Sequence, residues 1–186
     1  MSEHLRWIES SGGPLILLPR ELIACWEGIA LPGPGRAVEA RFRWHGDFSK
    51  PASDYDRACD INDYLGLLSV GTGFGLVLND QPLRTCWFAI SDSAGLLVRW
   101  DYADDENSVQ DSLTKTPGDI WQPTEFSLEV KSGELVLFDS SHQGTEAMEA
   151  CEFLSILLQP GLYSVDSSEY KPDERTSLLL HRLRPC

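Results

Sequence analysis

The stretch "YLGLLSVGTGFGLVLND" (residues 64–80) decides the fold class. Leu65 to Val70 and Leu76 to Asn79 are short apolar runs on either side of "GTGFG", a glycine-rich turn whose glycines accept positive φ. The glycines make no nucleotide site. Gly71 and Gly73 match the start of a dinucleotide fingerprint, but Leu76 stands where its third glycine belongs, and a strand follows instead of a helix. The Gly-Lys-Ser/Thr ending of a phosphate loop is absent as well.

The same pattern repeats outward from this pair. Cys86 to Ile90 and Leu96 to Tyr102 flank "SDSAG"; Phe126 to Val130 and Glu134 to Phe138 flank "KSG" and read as a hairpin. Further strands are expected at Phe153–Leu158, Leu162–Val165 and Leu178–Leu183. Upstream, "VEARFRWHG" (38–46) alternates Val38, Ala40, Phe42 and Trp44 against polar neighbours, the pattern of a half-buried strand. "LPGPGR" (31–36) is a loop. Trp7–Ser10 and Leu15–Leu18 form two short strands around "SSGGP". Pro19 and Gly28 bracket a short helix that puts Leu22, Cys25 and Trp26 on one face. "DDENSVQDSLTKTPGD" (104–119) is polar and acidic and reads as a loop with at most one helical turn, as does the connection 140–150. Many short strands with one or two brief helices give an α+β fold, mainly antiparallel β-sheet.

The chain reads as a single domain over 1–186. Three segment pairs echo one another in order: "SGGPLILLP" and "KSGELVLFD", 64–78 and 153–165, "GLLVRW" and "SLLLHRL". They are compatible with two similar halves, 1–103 and 120–186, joined by the acidic loop 104–119.

Net charge is −14, and residues 51–170 hold 21 acidic against five basic side chains, which concentrates −16 there. Such a surface disfavours nucleic acid and anionic membranes and suits a basic protein partner. No apolar run of 18 residues exists to span a membrane, and "MSEHLRWIES" lacks the layout of a secretory signal. The five cysteines at 25, 59, 86, 151 and 186 are scattered and form no Cys-x-x-Cys pair, which fits reduced thiols in the cytoplasm.

"SDYDRACDINDYLG" (53–66) crowds Asp54, Asp56, Asp60 and Asp63 around Cys59. A calcium loop fails there, because Cys59 and Leu65 stand where glycine and a bidentate glutamate are required. Cys59 also has no close cysteine or histidine to share zinc. The segment reads as a turn or short helix with Asp54 as its cap and Tyr55, Ala58 and Ile61 facing inward. "FDSSHQG" sets Asp139, Ser140, Ser141 and His142 in a row, but neighbours in sequence rarely converge and no Gly-x-Ser-x-Gly elbow exists. No metal, cofactor or catalytic residue is assigned. The candidate partner-binding carboxylates are Asp104, Asp105 and Glu106, then Asp54, Asp56, Asp60 and Asp63.

"WIESSGGPLILLP" (7–19), Trp26-x-Gly28, "DYDRACDINDYLGLLSVGTGFGLVLND" (54–80), "PLRTCW" (82–87) and "GLLVRW" (95–100) resemble the immunity protein 21 family of bacterial polymorphic toxin systems. The tail, with "PGLYSV" and "YKPDERTSLLLHRL", is similar less specifically. The resemblance implies a cytoplasmic antidote without enzymatic activity, which binds a cognate toxin domain encoded next door and occludes its active site. It assigns no catalytic residues and no small-molecule substrate, and its motif positions Trp7, Gly12, Gly13, Pro14, Trp26, Asp56 and Arg57 fit scaffold roles. Two readings stand beside it: a β-rich regulatory domain with another protein partner, and a hydrolase using Asp56 or Asp60 with a distant histidine.

Overall fold

A computed structural model describes residues 5–33, 39–79 and 82–186. Eleven strands are described: β1 (Trp7–Ile8), β2 (Leu15–Pro19), β3 (Leu65–Val70), β4 (Gly73–Leu78), β5 (Arg84–Ser91), β6 (Ala94–Tyr102), β7 (Gln122–Val130), β8 (Glu134–Asp139), β9 (Phe153–Leu157), β10 (Gly161–Asp173) and β11 (Thr176–Pro185). They form two antiparallel sheets, one in the order β1-β5-β6-β11-β10-β7 and the other β3-β4-β2-β8-β9. Four short helical segments accompany them: a 3-10 turn (Arg20–Cys25), α1 (Asp54–Cys59), α2 (Glu106–Leu113) and α3 (Gly144–Glu149). The mainly antiparallel architecture matches the expectation, with more helix than the one or two segments expected.

The two sheets share a core. Leu15 and Leu17 of β2, Leu76 and Leu78 of β4 and Leu137 of β8 meet Leu97 of β6, Leu128 of β7 and Leu183 of β11. Each such fully buried leucine contributes about 1.5–3 kcal/mol through removal of apolar surface from water. The outer face of the five-stranded sheet is covered by the 3-10 turn, α1 and α3 through Leu22, Ile23, Ala58 and Ala147. The outer face of the six-stranded sheet is covered by α2 through Val109 and Leu113. His181 points into the interior beside Ser167, 2.9 Å away, where burial first and the Arg99 charge second push its pKa down to about 3 and keep it neutral.

The deciding stretch is a hairpin, with β3 paired to β4 from Leu65↔Leu78 to Val70↔Gly73. Its turn is tighter than expected. Only Gly71 and Thr72 lie outside the strands, with Gly71 at φ +55°, and "GFG" belongs to β4. The hairpin expected around "KSG" is not one: β7 pairs with β10 and β8 pairs with β2 and β9, so "KSG" carries the chain from one sheet to the other. The strand expected at 38–46 is also absent among its described residues, 39–46, which run as turns and irregular backbone. Val38 and residues 34–36 of the breaker loop lie outside the described residues. The acidic loop 104–119 holds the two-turn helix α2, and Pro19 ends β2 instead of opening a helix.

Two of the three echoed segment pairs lie side by side. β2 pairs with β8 at the centre of one sheet and β6 with β11 at the centre of the other. The third differs: β3–β4 is a hairpin, whereas β9 and β10 belong to different sheets.

Candidate functional site

The acidic segment 53–63 is built around helix α1. Ser53, not Asp54, is its cap: the Ser53 hydroxyl accepts the Asp56 N–H at 3.1 Å, and Asp56 Oδ2 accepts the Ser53 N–H at 2.8 Å. This reciprocal pair satisfies two donors that a helix start otherwise leaves open. Asp56 Oδ1 then accepts the Trp44 N–H at 2.8 Å, and Asp54 Oδ2 accepts the Glu27 N–H at 3.0 Å. Arg57 closes the arrangement with donors to Asp54 Oδ1 at 3.2 Å and to the Ser69 carbonyl at 3.0 Å. Asp54 and Asp56 are only 2% and 3% exposed. They are buried anchors holding α1, residue 27 and the 39–50 stretch together. Asp60 accepts the Arg41 N–H at 3.0 Å at the surface, and Asp63 is exposed. Of the inward set, Ala58 is buried, whereas Tyr55 and Ile61 are half-buried.

A hollow of about 240 Å³ opens beside α1, lined by Gly12, Gly13, Pro14, Phe42, Tyr55, Cys59, Asn79 and Pro82. Neither Asp56 nor Asp60, nor any histidine, is among these described wall residues. Burial pushes the Cys59 thiol up to about 11, the Tyr55 hydroxyl notwithstanding, so it stays protonated and a poor nucleophile. Among the described residues no group of histidine, cysteine and carboxylate side chains could hold a metal ion.

Asp104, Asp105 and Glu106 stand at the head of α2. Asp105 is its N-cap, accepting the Ser108 N–H at 2.8 Å, and that backbone bond with the Ser108 hydroxyl holds its carboxyl below the usual range. Asp104 forms an ion pair with Arg175, and Glu106 lies 4.0 Å from Arg84. These carboxylates are exposed or half-buried, and Asp104 lines a groove of about 830 Å³ between α2 and the β10–β11 turn. The two acidic sets therefore differ in burial: Asp54 and Asp56 are internal while Asp60 and Asp63 lie at the surface, and the 104–106 set faces solvent.

"FDSSHQG" is a structural junction. Asp139 accepts N–H groups from Ser11 at 2.7 Å and Ser141 at 2.9 Å, and the Ser140 hydroxyl donates to the Pro14 carbonyl at 2.6 Å. The Trp26 indole donates to the Ser140 carbonyl at 2.9 Å. Gly28, at φ +56°, packs so closely that a Cβ would lie 2.4 Å from the Ser141 carbonyl oxygen. Residues 11–14, Trp26-x-Gly28, α1 and 139–141 thus converge on one joint between β2, β8 and α1.

The family model of Immunity protein 21 matches residues 6–176. The chain belongs to this family. No curated protein and no solved structure matches it. As a family member the chain falls among immunity proteins, whose role implies a toxin partner in general. No described helix is long and apolar enough to cross a membrane.

Sequence reasoning missed two further features. One is the ion cluster in which buried Asp166 accepts from Arg182 at 2.6 Å and Arg184 at 2.8 Å. Its signal was an aspartate on one strand facing two alternate arginines on the next. The other is the aromatic surface at 39–50, hidden because its alternation imitates a strand.

Proposed function

We propose that this chain is a cytoplasmic antidote that binds one cognate toxin domain and covers its active site, without catalysing a reaction. The observation that carries this reading is the family match over residues 6–176. The charge supports it: a net −14 creates a field that draws in a basic partner and speeds encounter. Asp104, Asp105 and Glu106 are the foremost surface for that steering, with exposed Asp63 and partly exposed Asp60 second. A specific interface buries about 1,200–2,000 Å² in all, which a domain of this size supplies. Commitment of Asp54 and Asp56 to backbone donors supports a scaffold role for them and counts against the hydrolase reading.

The test is titration calorimetry between this protein and the toxin domain encoded beside its gene, paired with a toxin activity assay. A tight one-to-one complex with loss of toxin activity is the expected result. Correctly folded partners that do not bind, or that bind without inhibition, overturn the reading.

A further inference from the structure

Phe42, Trp44 and Phe48 are 40%, 47% and 70% exposed, all within seven residues of irregular backbone. Together they leave about 300 Å² of aromatic surface in water along one short stretch. Single exposed aromatics are ordinary; three on one short stretch are an unpaired surface.

The stretch is held in shape from below. Trp44 and Arg41 give their N–H groups to Asp56 and Asp60 of the α1 segment. The Arg43 side chain donates to the Phe42 carbonyl at 2.8 Å and the Lys50 carbonyl at 3.3 Å, which stitches the two ends together. The Trp44 ring stands edge-on to Tyr55, centroids 6.3 Å apart, and Phe42 is a wall of the 240 Å³ hollow that Tyr55 also lines. Gly13 keeps the Tyr55 ring there, since a Cβ at that position would lie 2.3 Å from its hydroxyl. The result is an aromatic ridge beside a slot, fixed before any partner arrives, so little ordering entropy is lost on docking.

Charge identifies the occupant. The basic groups of the stretch are already engaged within the chain: Arg41 with Asp60, Lys50 with Asp47, Arg43 with carbonyls. Residues 39–63 together hold six acidic side chains (Glu39, Asp47, Asp54, Asp56, Asp60, Asp63) against four basic ones (Arg41, Arg43, Lys50, Arg57), a net −2, with Glu39 and Asp63 exposed. The complementary surface is an apolar pocket framed by lysine and arginine.

We propose that residues 39–50 are the anchor that grips the toxin. Trp44 and Phe48 enter an apolar pocket with a basic frame on the toxin domain, and a toxin side chain seats in the hollow beside Phe42. Buried aromatic anchors of this kind dominate binding energy and set the dissociation rate. The inference rests on the antidote reading and goes beyond it by locating the surface.

The experiment is surface plasmon resonance with the toxin domain encoded beside the gene, on the wild-type chain, Phe48→Ala, and the double variant Trp44→Ala/Phe48→Ala. Dissociation of the double variant is expected to be about 100-fold faster, with association changed only a few-fold. Thermal melting without toxin stays close to wild type for Phe48→Ala, which keeps the test readable if the double variant unfolds. Hydrogen exchange on the wild-type complex is expected to protect residues 39–50. Wild-type binding with unchanged dissociation in both variants, or with no protection at 39–50, overturns this surface and leaves the antidote reading standing. A wild-type chain that binds no toxin overturns the antidote reading itself and this surface with it.

Discussion

Asp54 and Asp56 are almost fully buried and spend their oxygens on N–H groups of three segments, whereas Asp104, Asp105 and Glu106 stand at the surface with one cap and two ion pairs among them. Both stretches are comparably acidic. What separates them is the supply of backbone donors without partners. The chain around α1 contains turns that no sheet satisfies, and a buried N–H must find an acceptor. Carboxylates fill that need there. At α2 one helix start needs one cap, and Asp104 and Glu106 turn to arginines at the surface.

The largest effect expected from breaking this contrast is at Asp56. Asp56→Ala removes the acceptor for both Ser53 and Trp44 and should cost about 3 kcal/mol, read as a lower urea midpoint. It should also speed amide exchange at Trp44, since the anchor of the 39–50 stretch is gone. A loss below about 1 kcal/mol would place Asp56 with the solvated carboxylates. Asp54→Ala follows, at about 2 kcal/mol, through the Glu27 N–H and the partner of Arg57.

The outer set should behave in the opposite manner. Asp104→Lys/Glu106→Lys is expected to leave the melting temperature almost unchanged while slowing association with the toxin about tenfold at low salt. Raising the salt should erase that difference, because exposed charges are screened. Unchanged association at low salt would clear this patch of a steering role.

The smallest effect is the cap at Asp105. Its folded pKa lies below the unfolded value of about 3.9, so its stabilisation is full above that pH and is lost as pH falls through the folded value. Asp105→Ala should therefore lower the urea midpoint slightly at pH 7 and not at all at the lowest pH where the fold survives. A gap between variant and wild type that persists there would show that the cap acts through something other than charge.

The sheets were legible in the sequence because their inner strands are covered on both faces, so the apolar runs at 76–78, 96–98 and 178–180 are buried throughout. Which sheet each strand joins was not, since "KSG" looks the same whether it folds a hairpin or crosses between layers. Helix α2 was obscured because only Val109 and Leu113 are buried apolar residues in it, although their spacing of four and the Asp105–Ser108 cap were visible. The alternation at 38–46 misled for a physical reason. Its described large apolar residues, Phe42 and Trp44, face water, and the N–H groups that a neighbouring strand would bind are taken by Asp56 and Asp60. Of the candidate site, Asp63 and the 104–106 set lie on the surface with Asp60 partly exposed, but the burial of Asp54 and Asp56 depends on segments far away in sequence.

The central pairings β2–β8 and β6–β11 have a consequence for how the chain matures during synthesis. Leu15 must wait for Asp139, and Leu97 for His181, before either sheet has its middle. At ~5–20 residues per second on the ribosome, the earlier strands emerge many seconds before their partners. Through that interval β2 and β6 each carry an unpaired edge, which invites wrong pairing. Contacts this distant in sequence also close slowly. The fold is therefore completed late in each molecule's life, with β11, the last described strand to be made, and on the antidote reading proposed above a cell gains by holding a reserve of finished copies.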